Sequence, residues 1–116
     1  YTADMVRALN EANPHRWSRY EVVYGELLVT PSPGVPHQWI VQELAAELHA
    51  YLKHEPVGVS FVAPADISWG RRDVTVQPDV FVVPNELFEA ALRARAWTEI
   101  RHLRLAAEVV SPSSRR

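Results

Sequence analysis

Residues 74–83 constrain this chain most, because they place one carboxylate inside an apolar stretch that reads as a β-strand. Their sequence, VTVQPDVFVV, is rich in the β-branched and aromatic residues that favour strands. The carboxylate belongs to Asp79. A buried carboxylate without a partner costs several kcal/mol. The fold must therefore supply Asp79 with a partner.

A second predicted strand, residues 103–110, repeats this pattern with Glu108 among small apolar residues. A glutamate between Ala107 and Val109 is unusual for a merely structural position. Two acids in two hydrophobic strands share one simple explanation, which is a divalent metal held between neighbouring strand ends. The residues leave a structural alternative open, in which each acid sits at a strand end and binds backbone amides or an arginine.

The composition excludes several kinds of site. The chain contains no cysteine, so disulfides and thiolate zinc sites are excluded. No apolar run approaches the roughly 20 residues of a membrane helix, and no signal-peptide pattern is present, so we expect a cytoplasmic protein without a membrane partner. A net charge of −2 does not by itself indicate a nucleic-acid binder.

The 116 residues are enough for a single domain, 1–116, with one core. Within it we expect an N-terminal helix and linker over 1–18 and the core over 19–116. The chain begins at Tyr1 and stops at Arg116, directly after the second acidic strand. A metal site at the end of a sheet normally has covering structure beyond it, so we expect the natural protein to continue after Arg116.

Local patterns predict three helices, two hairpins and a final strand. The helices are predicted over 2–13, 37–54 and 86–96, the first hairpin over 20–30, the second over 59–83, and the last strand over 103–110. Tyr24-Gly25 is the predicted turn of the first hairpin. Pro64 interrupts the second hairpin, and Asp66 is assigned a structural role at that bend. This order predicts an α+β fold with a central mixed β-sheet, β-hairpins and flanking helices.

Helical spacing also predicts which side chains face the core. The predicted inward residues are Met5, Val6 and Leu9; Ile40, Val41, Leu44, Ala45, Leu48, Tyr51 and Leu52; and Leu87, Phe88, Ala91 and Leu92. The four tryptophans are Trp17, Trp39, Trp69 and Trp97. Because they are scattered along the chain, we expect them to pack in the core or in a dimer interface rather than to stack on bases.

Four segments resemble, in order and in rough spacing, the Uma-two family of restriction-endonuclease-like proteins. They are residues 20–27 (YEVVYGEL), 36–38 (PHQ), 76–80 (VQPDV) and 108–113 (EVVSPS). The resemblance spans most of the chain, and four motifs in order are more specific than any one of them. The family is assigned to the PD-(D/E)XK nuclease superfamily. The resemblance therefore implies a restriction-endonuclease-like fold and metal-dependent hydrolysis of DNA phosphodiester bonds.

The resemblance also implies roles for particular residues. Asp79 matches the first acidic motif and Glu108 the second, as ligands of Mg²⁺ or Mn²⁺, and the backbone carbonyl of Val109 would be a third ligand. Glu26 would support the site, or be an ordinary exposed turn residue. His37 would lie near the site, or be an exposed histidine of a first helical turn. DNA is the implied partner, and a homodimer is expected because sheet edges and apolar surface need covering.

The chain departs from the superfamily pattern two residues after the second acid, where Val110 replaces the usual lysine. Lys53 is the only lysine in the sequence. The resemblance implies that a basic residue comes instead from a helix beyond Arg116. Two other functions stay open: a non-catalytic nucleic-acid-binding or dimerisation module on the same fold, and a small-molecule enzyme that uses the same pair of acids.

Overall fold

The computed structural model describes residues 1–12, 18–31 and 34–110. Its helices are α1 (Ala3–Glu11), α2 (Val35–His54) and α3 (Asn85–Ala94), and a 3₁₀ turn spans Trp97–Glu99. Its strands are β1 (Ser18–Val23), β2 (Glu26–Pro31), β3 (Gly58–Val62), β4 (Val80–Pro84) and β5 (Leu105–Ala107). The predicted α+β class is confirmed and is compatible with a restriction-endonuclease-like fold. Residues 15–17 of the predicted linker and everything after Val110 lie outside the described residues.

The first hairpin forms where the sequence predicts it. β1 and β2 pair antiparallel, with Val23 opposite Glu26. Tyr24 and Gly25 make the turn with φ of 48° and 85°. Positive φ at both central residues suits the right-handed twist of a two-residue hairpin, and glycine adopts it without steric cost.

The second sheet has the order β3-β4-β5, and its neighbours are antiparallel. The central strand β4 is buried along its whole length. Phe81 on β4 stacks on Phe61 of β3 at 5.8 Å between ring centroids, and Trp97 meets the two rings edge-on at 5.6 and 5.0 Å. Phe88 of α3 completes this aromatic cluster. The rings occupy the core against which α3 packs.

Of the four tryptophans, two pack at the core as predicted. Trp97 belongs to the aromatic cluster, and Trp69 is half-buried against the same core. Trp39 is 65% exposed on α2, so the structure excludes a core role for it and leaves the predicted role in a dimer interface untested. Trp17 lies outside the described residues.

One isolated bridge joins the hairpin to the segment before β4, and a second lies within the connection between β3 and β4. Val22 and Thr75 exchange backbone hydrogen bonds of 2.9 and 2.7 Å, and Ile67 and Val76 exchange two of 2.9 Å. In place of one mixed central sheet, the described strands therefore form two antiparallel sheets that residues 74–76 connect. Residues 65–69, expected as a strand, contribute only the bridge at Ile67, because Pro64 has no N–H to continue a ladder.

The helices bury narrower faces than their spacing predicts. α1 buries Val6 and, one turn later, Asn10; α2 buries Val41 and Leu52; and α3 buries Ala91. Five residues predicted to face inward are instead exposed: Met5, Leu9, Ile40, Tyr51 and Leu92. Each helix packs against the sheets along one side only, so residues at the margin of an apolar stripe stay in contact with solvent. None of the described helices is both long and apolar enough to cross a membrane.

Candidate functional site

Asp79 lies at the point where the chain passes from the bridging segment into β4. Strand pairing of this segment with other parts of the chain stops after Val76 and resumes at Val80. The sequence explains the interruption, because Pro78 has no N–H to donate. The expectation of one continuous strand over 74–83 is therefore wrong, and Asp79 sits just before the strand rather than within it.

The backbone of Asp79 is hydrogen-bonded on both sides, and its carboxylate is only 2% exposed. The N–H of Asp79 donates to the carbonyl of Ala107, and its carbonyl accepts from the N–H of Ala63, both at 3.1 Å. Its Oδ2 accepts a hydrogen bond of 2.7 Å from the N–H of Val109. A bond this short is typical of an ionised acceptor. Asp79 thus has the partners that burial requires.

His37 supplies a further contact from the first turn of α2. Its Nε2 lies 3.1 Å from Oδ2 of Asp79, and its side chain is 14% exposed. The alternative of an exposed first-turn histidine is therefore wrong. If Nε2 carries the hydrogen and donates, Nδ1 holds the lone pair of a neutral ring. Nδ1 is buried and has no hydrogen-bond partner within the described part of the chain.

Glu108 follows β5 directly and lies between the two residues that bind Asp79 through their backbones, Ala107 and Val109. This arrangement brings the two acidic positions of the sequence together at one end of the second sheet. The side chain of Glu108 is exposed. The expectation of a glutamate embedded in an apolar strand is wrong, because β5 has only three residues and is half-open to solvent as an edge strand.

Glu26 lies at the other end of the bridging segment. It is the exposed first residue of β2, directly after the hairpin turn. The N–H of Gly25 in that turn donates to the carbonyl of Asp73 at 2.9 Å, so this end of the hairpin meets residue 73. Six residues of extended chain, up to about 20 Å, separate Asp73 from Asp79. The described contacts do not bring Glu26 to Asp79, and its supporting role stays a prediction.

A buried polar network that the sequence analysis did not single out lies beside Asp79. Oε2 of Glu21, on β1, accepts the backbone N–H of Gln77 at 2.6 Å, and both residues are buried. The side chain of Gln77 donates from Nε2 to Oδ1 of Asp66 at 2.6 Å. The signal for Glu21 was the same as for Asp79, a single carboxylate within a β-branched and aromatic strand. The structural role predicted for Asp66 agrees with this bond.

The donors at this site match a hard divalent cation in type. Mg²⁺ prefers oxygen ligands, and it is commonly held by one or two carboxylates together with waters and substrate phosphates. Asp79 and Glu108 offer such a pair at adjoining positions. Within residues 1–12, 18–31 and 34–110, no group of three or more His, Cys, Asp and Glu side chains is arranged to hold a metal ion. The match of this site to Mg²⁺ therefore depends on the carboxylates of Asp79 and Glu108.

Comparison with protein families decides the family of this chain. The family model Uma2, described as "Putative restriction endonuclease", matches residues 6–116. The chain belongs to the Uma2 family. The match to Uma2 covers nearly the whole sequence, and it includes Asp79, Glu108, His37 and Glu21. A search of curated proteins found no match. Membership in Uma2 confirms the resemblance drawn from the four motifs and supports a nuclease-like function.

Proposed function

We propose that this Uma2-family chain is a cytoplasmic, single-domain, metal-dependent endonuclease that hydrolyses DNA phosphodiester bonds. The observation that carries the proposal is the buried carboxylate of Asp79, on which the start of α2 and the segment after β5 converge. A buried aspartate, whether structural or metal-binding, needs several partners. This one is held by elements that are 30 and 42 residues away in sequence, beside a second acid.

The carboxylates of Asp79 and Glu108 would hold Mg²⁺ or Mn²⁺, with the backbone carbonyl of Val109 as a third ligand. When bound, the ion would supply positive charge at the scissile phosphate and lower the pKa of a coordinated water. Carboxylate oxygens suit this role because both ions are hard acceptors.

The remaining residues of the site orient Asp79. The N–H of Val109 and Nε2 of His37 both contact Oδ2, so the carboxylate is restrained from two directions. Contacts of this kind typically change metal affinity 10- to 100-fold when they are removed. We assign to His37 the role of holding Asp79, because its Nε2 is already directed at the carboxylate.

DNA would contact the chain through arginines at the turn of residues 70–73. Arg101 packs against Gly70, and its Nη1 donates to the carbonyl of Trp69 at 3.5 Å. Arg72 occupies the same turn and is exposed, whereas Arg71 in that turn is already paired with Asp73. Arginine binds phosphate well because its guanidinium is always charged and presents several donors. Arg72 is seven residues before Asp79, so the two lie at most about 25 Å apart, which is a distance of roughly seven base pairs.

We also propose that the protein is a homodimer. The first turns of α2 carry large apolar side chains that solvent reaches, with Val35 at 83% and Trp39 at 65% exposure. A second copy of the chain would cover them. Light scattering at tens of micromolar protein should give the mass of a dimer. A strict monomer mass would contradict this part of the proposal.

A second candidate function is a non-catalytic nucleic-acid-binding or dimerisation module on the same fold. The position of the only lysine favours it. Lys53 is exposed in the last turn of α2, 16 residues after His37, which corresponds to about 24 Å along the helix. Val110 occupies the usual lysine position. Without a nearby lysine, the site lacks the group that would orient the attacking water or stabilise charge on the scissile phosphate, so binding would not lead to cleavage.

A plasmid-relaxation assay in Mg²⁺ and in EDTA separates the two candidates. We expect the wild-type protein to nick supercoiled plasmid only in Mg²⁺, and Glu108→Ala to lose that activity. Glu47→Ala, which changes an exposed glutamate of α2, is the matched control and should keep it. If the wild-type protein is as inert as Glu108→Ala on both double- and single-stranded DNA, the nuclease proposal fails and the binding module replaces it.

A further inference from the structure

We infer that Glu21 is a positioning residue, which holds the backbone at Gln77 so that the carboxylate of Asp79 keeps its orientation toward Val109. Glu21 would not touch substrate or metal. It would act through two residues of backbone. The geometric part of this inference stands on the hydrogen bonds alone, and its consequence for metal binding rests on the proposed function.

The backbone N–H of Gln77 donates to the side chain of Glu21 and not to the backbone of a neighbouring strand. Residues 77–79 lie between two stretches of strand pairing, so the N–H of Gln77 does not take part in strand pairing, which ends at Val76. Oε2 of Glu21 accepts it instead, at 2.6 Å. Glu21 is 9% and Gln77 5% exposed. Losing the acceptor would therefore leave a buried donor unsatisfied, which costs more than an exposed bond.

Gln77 is held from two sides. On one side, β1 binds the segment through the Val22–Thr75 bridge and through Glu21. On the other side, Asp66 accepts from the side chain of Gln77, next to the bridge between Ile67 and Val76. These contacts fix the chain from both sides two residues before Asp79.

Gln77 lies two residues before Asp79, whose carboxylate it would position. Downstream of Pro78, Asp79 is tied to Ala63 and Ala107 through its backbone, and to Val109 through Oδ2. The 2.7 Å bond to Val109 depends on the direction of one short side chain, which the backbone at 77–79 sets. Release of Gln77 would let that backbone rotate, and the bond to Val109 would weaken first.

A merely structural role for Glu21, as part of the hairpin, predicts a different outcome. The chain offers a matched control for that role in Asn10, which binds the residue directly before Glu21. Asn10 donates from Nδ2 to the carbonyl of Tyr20 and accepts the N–H of Tyr20 at Oδ1, both at 3.1 Å. Asn10→Ala should loosen β1 without reaching Gln77.

The test compares Glu21→Met, Glu21→Gln and Asn10→Ala. Methionine has nearly the volume of glutamate but no comparable acceptor, whereas glutamine keeps an acceptor oxygen. Amide hydrogen exchange at Val109 is measured by NMR in EDTA, relative to the most protected amides of the same variant. We expect exchange at Val109 to accelerate about tenfold or more in Glu21→Met, and to stay near wild type in Glu21→Gln and Asn10→Ala.

A second readout is Mg²⁺ affinity by calorimetry, which we expect to fall about 10- to 100-fold in Glu21→Met and to change little in Asn10→Ala. If wild-type protein binds no Mg²⁺, the proposed function fails, and the exchange at Val109 still decides the inference. Unchanged exchange at Val109 in Glu21→Met would overturn the inference. Failure of Glu21→Met to fold would also overturn it, because Glu21 would then serve the whole fold.

Discussion

Two aspartates mark the ends of the segment 73–79, and they lie in opposite environments. Asp73 accepts two hydrogen bonds of 2.9 Å from Arg71, a neighbour two residues away, and both side chains are substantially exposed. Asp79 is 2% exposed and is held by His37 and by the N–H of Val109. One carboxylate meets an exposed partner two residues away in sequence, and the other meets partners that only the completed fold brings near.

This difference bears on the roles proposed for the two aspartates. An exposed ion pair is screened by solvent and adds little to stability, so Asp73 and Arg71 are an ordinary surface pair. A buried carboxylate carries a desolvation cost that several fixed partners must offset. This cost, carried at a position beside a second acid, is consistent with the metal-binding role proposed for Asp79.

The largest expected effect comes from Asp79→Asn, which removes the charge and keeps the shape. We expect Mg²⁺-dependent cleavage to fall by more than about 100-fold, because the ion loses a charged ligand. In EDTA we expect the melting temperature to stay the same or to rise, since asparagine retains an acceptor for Val109. Strong destabilisation in EDTA would show that Asp79 serves the fold and not a metal.

His37→Ala should act next most strongly, through stability. The change removes the contact of Nε2 with Asp79 and leaves a buried acceptor with one partner fewer. We expect urea denaturation in EDTA to give a free energy of unfolding about 1–3 kcal/mol lower. His49→Ala, at an exposed position of the same helix, is the control and should change it by less than about 0.5 kcal/mol. Equal effects of the two variants would contradict the assigned role of His37.

At the exposed end of the segment, Arg72→Ala should weaken DNA binding without changing the fold. We expect the slope of log Kd against log salt to decrease by about one unit, because one phosphate contact is lost. Fluorescence anisotropy with a labelled duplex, from low to physiological salt, measures this slope. Arg93→Ala, an exposed arginine of α3, is the control. A slope that falls equally in both variants would argue against a defined contact at the turn.

The smallest effect concerns pH. The guanidinium of Arg71 lowers the pKa of Asp73 through its hydrogen bond. Because the folded state favours the ionised form, the pair stabilises the protein above the usual aspartate pKa, and this contribution is lost as pH falls below about 4. Melting temperatures of Asp73→Asn and wild type should therefore converge slightly between about pH 5 and 3. Divergence over this range would mean that the pair is absent in solution.

The sequence by itself determined the α+β class, the turn at Tyr24-Gly25 and the length of α2 to within two residues. These features follow from local chemistry: glycine at positive φ and apolar residues at helical spacing. The need of Asp79 for hydrogen-bond partners was also readable, because a lone carboxylate in an apolar stretch is costly to bury alone. Family membership confirmed the resemblance that the four short motifs carried.

Only the tertiary structure decided which partners Asp79 has. His37 and Val109 lie 42 and 30 residues from it, and nothing local in either segment specifies that they meet at one oxygen. The exposure of Glu108 depends on β5 being a short edge strand. The apolar composition of residues 103–110 predicts a longer strand and gives no sign of this. The bond from Gln77 to Glu21 exists because pairing stops at Pro78 and β1 lies alongside. Contacts of this kind are set by the packing of elements distant in sequence, and local periodicity contains no information about them.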